Sequence, residues 1–288
     1  MGTNKIDEVT GTETTGHEWD GIAELNTPLP RWWVLTFWIT LIWAIGYWIV
    51  YPAIPLMNSY TKGIWNHSDR AVVAKDIEKL NSMRAESAKK LMGASLEDIK
   101  NNTDLLNFAR AMAKPAYGDN CAPCHGTGAS GSKGYPNLND DDWLWGGTLD
   151  DIHTTIKVGI RDKHEDTRVN DMPAFGTDEV LEPKQITDVA GYVMSLSGGK
   201  VEGADVEAGK TLFAENCASC HGEDAKGLTE MGAPNLTDAI WLYGSDNATV
   251  IETIKGSRKG SMPTWEGRLD PATIKALAVY VHTLGGGK

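Results

Sequence analysis

Cysteine is scarce, with four among 288 residues, and all four fall in two copies of one short pattern. Basic residues are also in deficit, 27 Lys and Arg against 39 Asp and Glu, for a net charge of −12 and a pI near 5.0. That balance argues against a nucleic-acid partner, because phosphate binding needs clustered cations that displace counterions. Strand signals are nearly absent. Long apolar runs are limited to one, so the chain is not a multi-span membrane protein, and 41% apolar with 23% charged residues excludes a wholly disordered one. The length suits two small domains or one large one.

The one run covers Trp32 to Tyr51, 20 residues without a charge. As a helix it would be about 30 Å long, enough to cross a bilayer once. Trp32, Trp33, Trp48 and Tyr51 sit at its two ends, where amphipathic rings favour the head-group zone. Thr36 and Thr40 can return their hydroxyls to the helix backbone, and Pro52 and Pro55 stop it. A cleaved signal peptide and a buried core helix are the alternatives. The first fits poorly, because the leading segment carries Asp7, Glu8, Glu13, Glu18, Asp20 and Glu24 against a single Lys5. Orientation is ambiguous from charge, with Arg31 on one flank and Lys62 and Arg70 on the other.

Beyond the span the chain repeats itself. Residues 120–126 read NCAPCHG and residues 216–222 read NCASCHG, an offset of 96. Pro136-Asn137-Leu138 recurs as Pro234-Asn235-Leu236, Trp143-Leu144-Trp145-Gly146 as Trp241-Leu242-Tyr243-Gly244, and Met172-Pro173 as Met262-Pro263. Residues 189–196 recur as 277–284. Each copy is large enough to be a small domain, and SGGKVEG at 197–203 is the joint. Both copies read as helical: a helix ending in Tyr117 or Phe213, a middle helix near 152–158 or 248–255, and final helices starting at Pro183 and Pro271. The expected organisation is an acidic segment 1–31, a span 32–51, a helical spacer 52–112, and two domains, 113–200 and 201–288. Within the spacer Val73, Ile77, Leu80 and Leu91 fall near one stripe, and Ser95 with Asp98 forms a helix cap.

Cys-x-x-Cys-His is the pattern of covalent haem attachment: two thiols on one turn form thioethers, and the adjacent imidazole faces the iron. Zinc would want a second ligand pair close by, a redox dithiol would want a βαβ frame, and a disulfide across two residues would be strained. Cys121, Cys124, Cys217 and Cys220 are thus consumed by two haem groups, with His125 and His221 as axial ligands. Met172 and Met262 lie 47 and 41 residues beyond those histidines, each in a Met-Pro loop. A methionine opposite the histidine raises the potential and closes the sphere, which suits electron transfer; an open position suits oxygen or peroxide chemistry. Pro136 and Pro234 can offer carbonyls to the His rings. Arg161, Arg168 and Arg258 can meet haem propionates or form surface ion pairs. His17, His67, His153, His164 and His282 lack the Cys pairing and are expected to face solvent, with His153 or His164 a bis-His alternative. Pairing of His125 with Met172 and of His221 with Met262 is the default; exchange of the methionines between the repeats is the alternative.

Cys-x-x-Cys-His, Pro-Asn-Leu and Met-Pro before a closing helix resemble class I cytochromes c over residues 113–288. NTPLPRWWVLTF opening the span, residues 168–176 (RVNDMPAFG) and the C-terminal run 277–287 make the whole chain similar to the dihaem subunit of cbb3-type cytochrome c oxidases, subunit III, often called CcoP or FixP. The resemblance implies a mainly α protein with one transmembrane helix and two tandem class I cytochrome c domains carrying two covalently bound haem c. It also implies a bacterial inner-membrane complex with a catalytic haem–copper subunit and a monohaem cytochrome subunit, electrons arriving from a donor cytochrome, an N-terminus in the cytoplasm and haem domains in the periplasm. An anchored dihaem carrier outside an oxidase and a dihaem peroxidase are the rival readings.

Overall fold

The computed structural model describes residues 5–287, which divide between Ser82 and Met83 into two compact units. The first unit opens with a hairpin that the strand-poor sequence reading did not anticipate. Strand β1 (Thr14–Trp19) pairs antiparallel with β2 (Ile22–Leu25), Trp19 opposite Ile22. Asp20 and Gly21 join them with φ of 49° and 85°. Positive φ at both turn positions matches the right-handed strand twist, and Asp-Gly is the dipeptide that adopts it most readily.

Helix α1 (Arg31–Val50) follows, with Tyr51 as its extended C-cap. None of its 20 residues is buried, so it is no core helix, and its mean hydropathy of 1.8 suits a bilayer crossing. The Thr36 hydroxyl donates to Trp32 O and the Thr40 hydroxyl to Phe37 O, both at 2.9 Å, which hides both polar groups within the helix.

Helix α2 (Asp69–Gly93) continues from the first unit into the second. Val73, Ile77 and Leu80 on it are exposed, but Leu91 is fully buried. Helices α3 (Leu96–Asn101) and α4 (Thr103–Asn120) come next, and the Ser95–Asp98 capping box starts α3 as expected. Leu91, Ile99 and Ala109, all within 52–112, are fully buried in a core.

Among the described residues seven further α-helices and one 3-10 turn (Thr229–Met231) complete the second unit: α5 (Ala122–His125), α6 (Leu149–Val158), α7 (Pro183–Leu196), α8 (Val206–Asn216), α9 (Ala218–His221), α10 (Asn247–Gly256) and α11 (Pro271–His282). Proline opens α7 and α11 where its missing N–H costs nothing. The cores do not follow the two repeats. Helix α11, from the second repeat, packs on α4 and α6 of the first; α7, from the first repeat, packs on α8 and α10 of the second. One lobe is therefore continuous in sequence, running from the Met172 loop through α10. The other is assembled from chain on both sides of it.

Glycine permits the α7–α8 crossing. A Cβ on Gly209 would stand 2.0 Å from Asp188 O. The Asp188 carboxylate, nearly buried, accepts from Lys184 Nζ at 2.5 Å and from the Asp205 N–H at 2.7 Å, tying the same two helices. His282, expected to face solvent, is buried on α11 at 6% exposure, because that helix is enclosed on most sides by the α4–α6 lobe.

Candidate haem centres

The two Cys-x-x-Cys-His segments fold alike. In the first, Cys121 caps α4 and its N–H donates to Tyr117 O (2.8 Å), while the Cys124 and His125 N–H groups turn back to Cys121 O (3.1 and 2.9 Å). In the second, the N–H of Cys217 reaches Phe213 O (2.8 Å), and those of Cys220 and His221 reach Cys217 O (3.1 and 3.0 Å). This single turn is what brings both thiols to one side of a short helix. None of the four thiols is in a disulfide. Burial, with the neighbouring cysteine adding to it, pushes the Cys121 and Cys217 thiols up to about 11.

Each imidazole is held by one nitrogen. His125 Nδ1 lies 3.0 Å from Pro136 O, and His221 Nδ1 lies 3.0 Å from Pro234 O. A carbonyl only accepts, so Nδ1 carries the proton and Nε2 presents its lone pair. Burial lowers both histidine pKa values, which favours the neutral, ligating form.

Both thiol pairs, both histidines, Met172 and Met262 line one cavity of about 710 Å³. The methionine loops sit on the opposite repeat from their own. Met262 and Ile160 exchange backbone hydrogen bonds of 2.9 Å in both directions, Thr264 N–H donates to Asp162 Oδ2 (2.6 Å), and Trp265 N–H donates to Ile156 O (3.2 Å). The Met262 loop is thereby fastened to the end of α6. Reciprocally, Ser257 Oγ donates to Met172 O (2.6 Å), and the N–H groups of Gly176 and Thr177 donate to Lys255 O (3.1 and 3.0 Å), fastening the Met172 loop to the end of α10. Met262 and Cys121 pack against one core, and Met172 and Cys217 pack against the other. Aromatic pairs repeat the crossing, Tyr117 with Tyr280 (5.6 Å) and Phe213 with Tyr192 (5.2 Å). Each Met loop is thus docked on the helix end and core of the other repeat, the placement that the exchanged alternative requires.

The arginines divide. Arg258 lines the cavity, stacks over Tyr243 (5.0 Å) and donates from Nε to Thr253 Oγ1 (3.1 Å). Arg168 stacks over Trp145 (5.5 Å) and pairs with Asp151 (3.6 Å), while its buried Nε has no protein partner. Arg161, expected to meet a propionate or form a surface ion pair, pairs with Asp171 and also joins the two Met loops. Its Nε donates to Asp171 Oδ1 (2.7 Å), one terminal nitrogen donates to Gly260 O (2.7 Å) and the other to Asn170 O. Spacing gave no signal for that bridge, since Gly260 is 99 residues away. His164 pairs with Glu266 (2.7 Å), and neither it nor His153 lines the cavity. Among the described residues no three His, Cys, Asp or Glu side chains gather as a metal cluster.

Residues 110–193 and 204–281 match the family model for cytochrome c oxidase, cbb3-type, subunit III, and residues 11–58 match that for the N-terminal domain of cytochrome oxidase-cbb3, FixP. The chain belongs to the cbb3-type cytochrome c oxidase subunit III family. It is 60% identical over 286 residues to the cbb3-type cytochrome c oxidase subunit FixP of Bradyrhizobium sp. strain ORS 278, covering 99% of both chains. It is 51% identical over 276 residues to the CcoP subunit of Cereibacter sphaeroides (96% of this chain, 95% of the relative) and 50% identical over 284 residues to FixP of Rhizobium meliloti (98% of both). Family members of this kind carry two c-type haems and a membrane anchor, and the residues here fit both. Uncrosslinked thiol pairs and Nε2 lone pairs in a largely apolar cavity, with Arg258 in its wall, are a donor set that fits a haem and its propionates.

Proposed function

We infer that this subunit moves electrons within a cbb3-type oxidase, from a donor cytochrome to the catalytic haem–copper subunit, with a monohaem cytochrome subunit beside it. The observation that carries this reading is the pair of methionine loops, each buttressed against the lobe of the other repeat's histidine. Cys121, Cys124, His125 and Met262 would hold one haem, and Cys217, Cys220, His221 and Met172 would hold the other. Each haem, when bound, supplies a one-electron ferrous/ferric couple. The chain's part is to hold both axial ligands fixed so that little rearranges when the charge changes. Pro136 and Pro234 carbonyls keep each imidazole in one tautomer and make it a better donor. Trp145, Trp241 and Trp265 line the cavity and exclude water. A histidine and a methionine would serve each haem, which suits an electron carrier with no substrate chemistry of its own rather than a dihaem peroxidase.

The haem lobes lie in the periplasm and the N-terminal hairpin in the cytoplasm, the side on which bacterial haem c is attached deciding what the flanking charges leave open. Pyridine-haemochrome assay of the purified chain should give two haems c per polypeptide. Both ferrous centres should be low-spin and indifferent to carbon monoxide. Mild detergent extraction should recover the chain in fixed stoichiometry with a copper-containing, oxygen-consuming partner. One haem, or avid carbon monoxide uptake, would overturn the reading.

A further inference from the structure

The C-terminal end of α1 is closed by protein rather than left to solvent. The last carbonyls of a helix have no partner within it, yet here Ile49 O accepts from the Ile64 N–H (3.0 Å) and Val50 O from the Trp65 N–H (3.1 Å). Between these contacts the chain makes a small loop. Leu56 N–H donates to Ser59 O (2.7 Å), Thr61 N–H donates to Ile54 O (3.0 Å), and Thr61 Oγ1 accepts from the Ile54 N–H (2.9 Å). It returns to the helix at Gly63, where φ is +67° and a Cβ would stand 2.3 Å from Val50 O. Only glycine permits that approach. Internal closure of a helix end is what a water-poor boundary demands.

The loop also turns its apolar side chains outward. Leu56, Ile64 and Trp65 are exposed, and Met57 at the tip is completely so. No charged residue occurs between Arg31 and Lys62. Beside this loop lies a cavity of about 290 Å³ lined by Tyr47, Tyr51, Tyr60, His67 and Asp69, with no lysine or arginine in its wall. The Tyr47 and Tyr51 rings are stacked with centroids 4.6 Å apart, and Tyr51 meets Trp65 and His67 edge-on at 5.0 and 5.5 Å. Asp69 Oδ1 lies 2.9 Å from His67 Nε2 and adds a carboxylate to the aromatic wall.

We propose that the loop and the tyrosine pocket form a phospholipid site at the C-terminal end of the span, with the apolar tip in the acyl boundary and the lipid's ammonium head group in the pocket. Continuity with the spanning helix fixes the occupant. The loop is hydrogen-bonded to the last two residues of that helix, so it lies at the depth of the head groups. Tyrosine side chains and a carboxylate, with no lysine or arginine beside them, favour an ammonium over a head group that carries phosphate alone.

The test uses the full haem-loaded chain. With p-benzoylphenylalanine replacing Met57 in native membranes, irradiation should yield a lipid adduct; a protein adduct or none would overturn the proposal. Native mass spectrometry of chain extracted from mixed vesicles should find phosphatidylcholine retained over phosphatidylglycerol by about tenfold. Tyr60→Ala and Asp69→Asn should each remove that preference with the haem spectrum unchanged. Equal retention of the two lipids by the unsubstituted chain would also overturn it.

Discussion

If the cores cross between repeats, cutting the chain at the repeat boundary cuts both lobes, whereas a cut that respects the packing leaves one lobe whole. Residues 169–259 contain the Met172 loop, α7, α8, the second Cys-x-x-Cys-His segment and α10. Exported and matured alone, this fragment should fold as a low-spin monohaem cytochrome. Residues 201–288 keep the same haem segment but lose α7. In α7 the side chains of Ile186, Val189, Val193 and Met194 are at most 8% exposed. At about 1.5–3 kcal/mol for each, their burial supplies about 6–12 kcal/mol. That is as large as the whole stability of a small domain, about 5–15 kcal/mol. The repeat-defined fragment should therefore be high-spin or fail to accumulate. The assays are the spin state by electronic and paramagnetic resonance spectra and the urea midpoint. A low-spin 201–288 fragment beside a high-spin 169–259 fragment would refute the crossed arrangement and restore the pairing of His221 with Met262.

Four further outcomes follow from the same contacts. Replacing Arg161 by Ala removes donors to Asn170, Asp171 and Gly260 at once; both Met–iron bonds should weaken together, read as loss of the ferric Met-ligation band from both centres at lower denaturant than in the wild type. Gly209→Ala places a methyl group against Asp188 O and should destabilise the α7–α8 lobe by about 1–3 kcal/mol in urea titrations, leaving the His125 centre little changed. The Asp188 carboxyl is opposed by burial, but the Lys184 ammonium and the Asp205 N–H prevail and hold its pKa below the usual carboxylate value. Its contribution should be fully present above about pH 4 and be lost as pH falls through its lower folded value. Asp188→Asn should flatten that part of the acid-unfolding curve. Residues 52–288 carry 33 acidic and 25 basic residues. Reduction by a basic donor cytochrome should therefore slow as ionic strength rises, and stopped-flow rates indifferent to salt would remove the idea of acidic steering.

Sequence alone determined the parts. Two Cys-x-x-Cys-His segments, the Met-Pro loops, the uncharged span, the Ser95 cap and the proline starts of α7 and α11 are local signals, set by steric and hydrogen-bonding rules within a few residues. The Asp20-Gly21 turn was equally local and could have been read as a hairpin. What only the tertiary structure decided is which parts pair. Two similar repeats offer similar apolar faces, so the 3.6-residue period says that α7 and α11 bury a face without saying against which copy. The choice falls to chain connection and packing. Nine residues separate α7 from α8, short enough to lay the two helices side by side, and α11 is left to complete the lobe that α4 began. The burial of His282 and the Arg161 bridge between the Met loops both follow from that one pairing, which is a property of three-dimensional proximity and has no period in the sequence.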